Sequence, residues 1–437
     1  MSEACIRTQE DPLNILIVGA GGREHALAWK ISQSPLLGKL YIAPGNGGTA
    51  LHGTNVAIND NDIDGIVAFA RDNEIGLVVA GPELPLVLGL KEALDAVRIP
   101  CFGPCAFAAQ LEGSKAFAKN MMRETGVPTA DFRVFDTYET ALAYVRTQPL
   151  PMVIKADGLA AGKGVVIAQT MAEAEDALKD MMLDMVFGEA GMTVVVEEAL
   201  VGEEASFLAF CDGTTVVPMP SLQDHKRVGD GDTGLNTGGM GAYSPAPVLP
   251  QEQYAAMADL AIKPITEHLA AIGQPFKGVL YAGLMMTARG PMVLEYNVRF
   301  GDPECQPLMA RLKSDLIETM MACVQGKLDP AQVVFHEETS CCVVMAAKGY
   351  PQSYPKGMVI TGIDEAEKVE TVTVFQAGTR LQDGHAVSCG GRILGVTALG
   401  ANLQEARQRA YRAVEKISYD NSYYRTDIAV KGLRRTS

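Results

Sequence analysis

The sequence predicts a chain of several mixed α/β and α+β domains, and three observations carry that prediction. The first hundred or so residues alternate short apolar runs with helical stretches, the pattern of parallel βαβ units. The last hundred carry short β runs separated by Gly and Pro turns and followed by one helical stretch, as in a small α+β domain. The whole chain, 437 residues with 48% of them hydrophobic and 20% charged, is more than one core accommodates.

In the N-terminal part, residues 14–19 (NILIVG) read as a buried strand, 23–33 as a helix, 39–43 as a second strand, 63–72 as a second helix and 77–80 as a third strand. The turn Gly19-Ala20-Gly21-Gly22 at the first strand's end invites a dinucleotide reading. Two departures oppose it: Glu24 replaces the third glycine of GxGxxG, and the second strand runs into Ala43-Pro44-Gly45-Asn46, with no acid to hold an adenosine ribose. The better expectation is that the helix N-terminal amides of Gly21, Gly22 and Arg23 contact an anionic sugar. A boundary falls near 111–114, a helix begins at Lys115, Pro149-Leu150-Pro151 breaks the chain again, and the pattern changes after Asp329-Pro330. The expected domains are therefore 1–113, 114–330 with a mobile lobe at about 130–200, and 331–437.

The central part carries the chemistry. Residues 153–168, VIKADGLAAGKGVVIA, place Lys155 at the end of an apolar run, then a glycine-rich turn with Lys163. Gly158, Gly162 and Gly164 let backbone amides approach a phosphate, while Lys155 and Lys163 neutralise its charge. This is not a Walker loop, because Lys163 is followed by Gly164 and the β-rich Val165-Val166-Ile167, which reads as a hairpin. Read alone, the segment is equally an ordinary turn with surface lysines. Residues 194–200, VVVEEAL, form an apolar run ending in Glu197 and Glu198, with Leu200, Glu203 and Glu204 beyond. As a strand between two lobes it offers backbone to an adenine edge and an acid to ribose hydroxyls; alone, it is also a solvated strand end. Residues 292–304, MVLEYNVRFGDPE, set Glu295 and Asn297 two apart on one strand face, a hard-oxygen pair suited to Mg²⁺ that also bridges nucleotide phosphates. Arg299, two further on, has the fork to hold an anionic intermediate.

Composition bounds the partners. With 37 basic against 52 acidic residues the net charge is −15, which opposes a broad nucleic-acid or anionic-membrane surface and makes phosphate recognition local. Nine cysteines without paired CxxC spacing read as buried free thiols in a reducing compartment. No run reaches a membrane span and the first residues are unlike a signal peptide, so a soluble cytoplasmic protein is expected.

Taken in this order and spacing, the three central segments resemble the ATP-grasp superfamily, in which two lobes clamp ATP and a carboxylate is activated as an acyl phosphate. Residues 223–247, QDHKRVGDGDTGLNTGGMGAYSPAP, form a long loop with little apolar periodicity, and NTGGMGAYSP is similar to the signature of the phosphoribosylamine–glycine ligase family. GGREHALAW, APGN, GPE, QLEGSKAF and NVRFGDPE extend the resemblance from about residue 14 to about 430.

The resemblance implies an N-terminal parallel-sheet (pre-ATP-grasp) domain, a two-lobed ATP-grasp domain and a small C-terminal α+β domain. It implies ATP as substrate, Mg²⁺ or Mn²⁺ at Glu295 and Asn297, and ligation of glycine to 5-phosphoribosylamine in purine biosynthesis by a monomer. Lys115, Lys155, Gly158, Gly162, Lys163, Gly164, Glu197, Glu198, Leu200 and Glu203 would then bind ATP. Gly21, Gly22, Arg23, Asn46, Gly47, Glu83, Gly239, Met240 and Arg299 would bind the other substrates, and Arg299, Lys155, Asp224 and Lys226 would serve catalysis. The chemistry needs alignment and charge neutralisation more than a nucleophile, so neither His25 nor His225 is assigned as a base. The strand before the Glu-x-Asn pair, residues 279–285 (VLYAGLM), lacks the extra acidic ligand of many ATP-grasp enzymes, which leaves a second metal open. Two other readings stay open: a carboxylase or formyl transferase acting on a related ribonucleotide, and a nucleotide-binding protein without turnover.

Overall fold

The computed structural model describes residues 12–159 and 164–436. Its first sheet is parallel and is built from β1 (Leu13–Gly19), β2 (Leu37–Pro44), β3 (Thr54–Asn55), β4 (Ile75–Ala80) and β5 (Cys101–Phe102), in the order β3-β2-β1-β4-β5. The unbroken apolar run of β1 explains its central place: Ile15, Leu16, Ile17 and Val18 are all fully buried, so both faces are covered. The expected helices stand at Gly22–Ile31 and Ile63–Asp72. Asp62 caps the second, accepting the Gly65 N–H at 2.9 Å.

Strands β6 (Phe132–Phe135), β7 (Met152–Ala156), β8 (Val165–Ala168) and β9 (Val194–Glu198) form an antiparallel sheet ordered β6-β9-β7-β8, with helices Tyr138–Val145 and Met171–Met182 against it. Ala141, Ile154, Leu178, Met181 and Val194 give this lobe a core of its own. β7 and β8 pair from Met152↔Ala168 to Lys155↔Val165, the hairpin expected from the sequence. Gly162 and Lys163, at its turn, lie outside the described residues.

Next come β10 (Gly202–Asp212) and β11 (Val216–Pro218), then the segment expected to be a long loop. It is more regular than expected, with β12 (Gln223–Asp224), β13 (Arg227–Gly229), β14 (Thr233–Asn236) and β15 (Gly241–Ser244). β16 (Lys277–Thr287) and β17 (Gly290–Asn297) then close an antiparallel sheet in the order β11-β10-β16-β17.

The last third supplies β18 (Thr339–Ala347), β19 (Val372–Gln376), the hairpin β20 (Thr379–Gln382) and β21 (His385–Ser388), β22 (Arg392–Gly400), helix Leu403–Val414 and β23 (Ser422–Tyr423). Its sheet runs β12-β15-β18-β22-β19, with β23 on β18. Two of its strands thus come from the middle of the chain. β15 covers the open flank of β18, from Gly241↔Val343 to Ser244↔Ser340, a long-range pairing that local composition cannot reveal. Six of the eight described cysteines are buried, and all eight are free. No helix among the described residues is long and apolar enough to cross a membrane.

Candidate active site

A cleft of about 850 Å³ opens between the lobe, the sheet of β10, β16 and β17, and the segment of β12 to β15. Its cationic end is assembled by one carboxylate. Asp157, just past β7, accepts the Ser114 hydroxyl at 3.0 Å and the Ala116 N–H at 2.6 Å, binding the start of helix Lys115–Thr125 to the hairpin. Lys115 Nζ then donates to the Gly158 carbonyl at 3.0 Å. Lys155 is buried at the end of β7, with Nζ 3.0 Å from Glu197 Oε2, and Lys119 Nζ reaches the same oxygen at 3.0 Å. Burial lowers the pKa of Lys119 to about 8, against the pull of Glu197. Burial also lowers Lys115, Glu295 opposing and Lys155 adding to the effect.

Beyond β9 the acids divide. Glu197 points inward and is buried, whereas Glu198 accepts from Arg289 at 2.7 Å and from the Asp131 N–H at 3.2 Å. Leu200 lines the cleft. Glu203 accepts from Gln223 at 2.9 Å and from Arg435, and Lys226 Nζ lies 3.1 Å from Glu204 and 3.8 Å from Glu295. Glu204 holds the Lys226 ammonium well above the usual lysine range, against burial.

On β17 and just beyond, Glu295, Asn297 and Arg299 are half-buried and alternate with buried Tyr296, Val298 and Phe300, so the three share the cleft face. Glu295 stands opposite Gly283 of β16, where a Cβ would touch its Cγ at 3.4 Å. Burial opposes its ionisation, yet Lys226, Lys155 and Lys115 hold its carboxyl below the usual range. Among the described residues no group of three His, Cys, Asp or Glu could hold a metal alone. A Glu–Asn pair of hard oxygens nevertheless fits Mg²⁺, which completes its shell with phosphates and water.

Arg299 is already gripped: it donates to Glu83 at 3.2 Å and pairs with Glu112, which also accepts the Val298 N–H at 2.8 Å. Burial pushes Glu112 up to about 7 despite Arg299, while Arg299 and Arg23 hold Glu83 low against burial. At the floor, Glu304 Oε1 accepts the Tyr281 hydroxyl at 2.6 Å and the Ser206 hydroxyl at 3.2 Å. Burial and nearby Glu304 raise Asp224 well above the carboxylate range. Gly239, at φ +117°, backs Asp224: a Cβ there would lie 2.7 Å from Oδ1 and 2.4 Å from Pro303. Met240 is fully buried, its N–H given to His225 O and its carbonyl accepting the Val344 N–H, so it does not face the cleft.

At the N-terminal end, Arg23 and Glu83 reach the cleft wall. The helix-start amides are partly occupied: Glu24 takes the Gly21 N–H, and Asp302 takes the Arg23 N–H at 3.4 Å. Glu24 thus takes a helix-start amide that a bound anion would otherwise use. Gly22 begins the helix, packed against Gln306. Asn46 and Gly47 lie in the seam with the last third: Asn46 Nδ2 donates to Ala20, Gly21 and Gln376 carbonyls, and the Gly47 N–H to Thr379 O at 3.1 Å. His25 accepts the Gln376 N–H at 2.7 Å, and burial lowers its pKa to about 3. His225 faces Gly241 O through Nδ1 and the Ala429 N–H through Nε2, with a pKa lowered by burial to about 4. Both are neutral structural groups.

Sequence reasoning missed Lys119, Glu112, Asp157, Glu304 and Arg392, although all line or brace the cleft. Lys119 had a signal, being four residues after Lys115 and so on the same helix face. Arg392 had none; its guanidinium donates to Gly238 O at 2.7 Å and Asp302 O at 2.6 Å from a distant strand.

A two-lobed cleft with clustered buried lysines at one end and a strand-borne Glu–Asn pair is the architecture of an ATP-grasp ligase. Three models of phosphoribosylglycinamide synthetase match in chain order: the N domain over residues 13–112, the ATP-grasp (A) domain over 113–305 and the C domain over 340–431. The chain belongs to the phosphoribosylglycinamide synthetase family. Its relatives include the phosphoribosylamine–glycine ligase of Rhodopirellula baltica, 50% identical over 96% of this chain and 98% of that protein. The phosphoribosylamine–glycine ligase of Yersinia pestis is 52% identical over 97% of this chain and 100% of that protein. The crystal structure of phosphoribosylamine–glycine ligase from Thermotoga maritima matches with a TM-score of 0.84 and 32% identity, over 95% of this chain and 100% of that one. N5-carboxyaminoimidazole ribonucleotide synthetase from Thermotoga maritima, at 15% identity and a TM-score of 0.64 over 93% of this chain and 99% of that one, shares the fold.

Proposed function

We propose that this ligase joins glycine to 5-phosphoribosylamine, giving glycinamide ribonucleotide, ADP and phosphate through a glycyl phosphate intermediate, as a cytoplasmic monomer of de novo purine biosynthesis. The observation that carries the reading is the convergence of Lys115, Lys155, Glu295, Asn297 and Arg299 on one cleft, in a chain about half identical to ligases named for that reaction.

A glycine carboxylate does not react with an amine until its oxygen becomes a leaving group, and transfer of the ATP γ-phosphoryl supplies that activation. Lys155, Lys115 and the glycines of the hairpin, Gly158 and Gly164 with Gly162 and Lys163, neutralise and align the phosphates. The linker of Glu197, Glu198 and Leu200 offers its backbone to adenine, and Glu203 takes the ribose. Glu295 and Asn297 would hold Mg²⁺ or Mn²⁺, which supplies charge neutralisation of the transferring phosphoryl. Arg299, steered by Glu83 and Glu112, meets the acyl phosphate, and Asp224 and Lys226 complete the reacting centre. Arg23 and Glu83 hold the phosphoribosylamine side, with Gly21, Gly22, Asn46, Gly47, Gly239 and Met240 shaping it from behind. Both acyl phosphate and phosphoribosylamine are labile in water, so the segment of β12 to β15 also serves to enclose them.

The test is ADP formation with ATP, Mg²⁺ and freshly generated phosphoribosylamine, supplied with glycine, formate or bicarbonate. Glycine-dependent turnover that needs the amine and collapses in Glu295→Ala supports the reading. Turnover with formate or bicarbonate instead would make the chain an ATP-grasp ligase of another acid.

A further inference from the structure

The last helix, Val430–Thr436, ends beside the nucleotide linker rather than in solvent. Arg435 donates twice to Glu203 Oε2, from Nε at 2.9 Å and Nη2 at 2.6 Å. Gln223 Nε2 donates to Glu203 Oε1 at 2.9 Å and is itself fixed, also reaching Glu204 O at 2.8 Å while its own oxygen accepts the Tyr243 hydroxyl. The helix is anchored as well: Lys431 pairs with Asp232 of the β13–β14 turn, and buried Arg425 holds Asp232 at 3.0 Å and Asp427 at 2.7 Å. A carboxylate offers about four acceptor positions. The bonds to Arg435 and Gln223 occupy three on Glu203 and leave one, on Oε1.

We propose that Arg435 is a positioning residue of the nucleotide site, turning Glu203 so that a single carboxylate position remains for one ribose hydroxyl of ATP. The inference rests on the reading of Glu203 as the ribose acceptor. It makes selectivity for the sugar a joint product of the linker and the chain's last helix. It also gives the two-donor contact a purpose, because a guanidinium that sets Nε and Nη2 on Oε2 fills both acceptor positions of that oxygen, where a lysine would only attract it.

The experiment measures steady-state ADP formation with ATP, 2′-deoxy-ATP and 3′-deoxy-ATP, for the full chain and its Glu203→Ala, Arg435→Ala and Arg435→Lys variants. The expected wild type discriminates against one deoxynucleotide and tolerates the other. Arg435→Ala should raise KM for ATP about fivefold and erase most of that discrimination, with kcat at saturating ATP and KM for glycine little changed. Arg435→Lys should recover part of the loss, and a variant combining Glu203→Ala with Arg435→Ala should be no worse than Glu203→Ala alone. If Glu203→Ala erases the discrimination and Arg435→Ala does not, the inference fails while the reading of Glu203 stands. If neither variant changes it, the ribose reading falls and takes the inference with it. Equal rejection of both deoxynucleotides would overturn the single-position count. Arg435 is half exposed, so matching thermal melts are expected for its variants.

Discussion

Lys119 and Lys155 share one oxygen: the Nζ of each lies 3.0 Å from Glu197 Oε2, while Glu197 Oε1 is buried with no hydrogen-bond partner among the described residues. Two buried ammonium groups thus share one carboxylate for charge, although Lys119 also donates to the Thr129 hydroxyl at 2.7 Å. Removing the acid leaves both uncompensated. Glu197→Gln should therefore cost about 3 kcal/mol in a denaturant titration. Lys119→Met, which leaves the pair of Glu197 and Lys155 intact, should cost about 1 kcal/mol and act mainly by raising KM for ATP. Equal losses in the two variants would contradict this ordering.

Gly239 sits at φ +117°, with a Cβ position 2.4 Å from Pro303 and 2.7 Å from Asp224. Gly239→Ala should cost about 1–3 kcal/mol from backbone strain alone. Its larger effect should be on turnover, because relief of the clash moves Asp224. Comparison of thermal melts with ADP formation separates the two effects.

His25 and His225 give acid sensitivity a defined window. Both have folded pKa values, about 3 and about 4, below the ordinary 6.5. A histidine held neutral by the fold contributes stability in full above the unfolded value, and that contribution is lost as pH falls towards the folded one. Stability should thus decline from about pH 6.5 to about pH 4, by up to about 1.4 kcal/mol per pH unit for each histidine. Urea titrations at pH 7, 6 and 5 would measure the slope, and His225→Gln should make it shallower.

Glu295 and Asn297, the expected metal pair, stand two apart on one face of β17. Even outer-shell partners of a metal cost about 10- to 100-fold when removed, so Glu295→Ala should lose more than about 100-fold in kcat at fixed Mg²⁺. Raising Mg²⁺ should restore little. Asn297→Asp adds a negative ligand and should lower the Mg²⁺ needed for half-maximal rate, read directly from a metal titration.

Much of this was legible before folding, and the reasons are local. The apolar run of β1, the break at Pro149-Leu150-Pro151 and the two-residue spacing of Glu295, Asn297 and Arg299 are properties of neighbouring residues, and each emerges in the fold as a strand, a boundary or a shared face. What stayed hidden is what distant segments do to one another. Nothing near Arg299 announces that Glu83 and Glu112 grip it, nothing near Asn46 that Gln376 receives its amide, and nothing near β15 that β18 lies beside it. Met240 stands inside a motif that points to substrate, yet sheet pairing turns it away from the cleft.

The pairing of β15 with β18 also sets an order of events during synthesis. Gly241 cannot find Val343 until about a hundred further residues have left the ribosome. Gly239, which backs Asp224, lies beside that same strand, so the floor of the cleft awaits a partner made late. A nascent chain can complete its first sheet and its lobe early, but it cannot yet seat Asp224 beside Glu304.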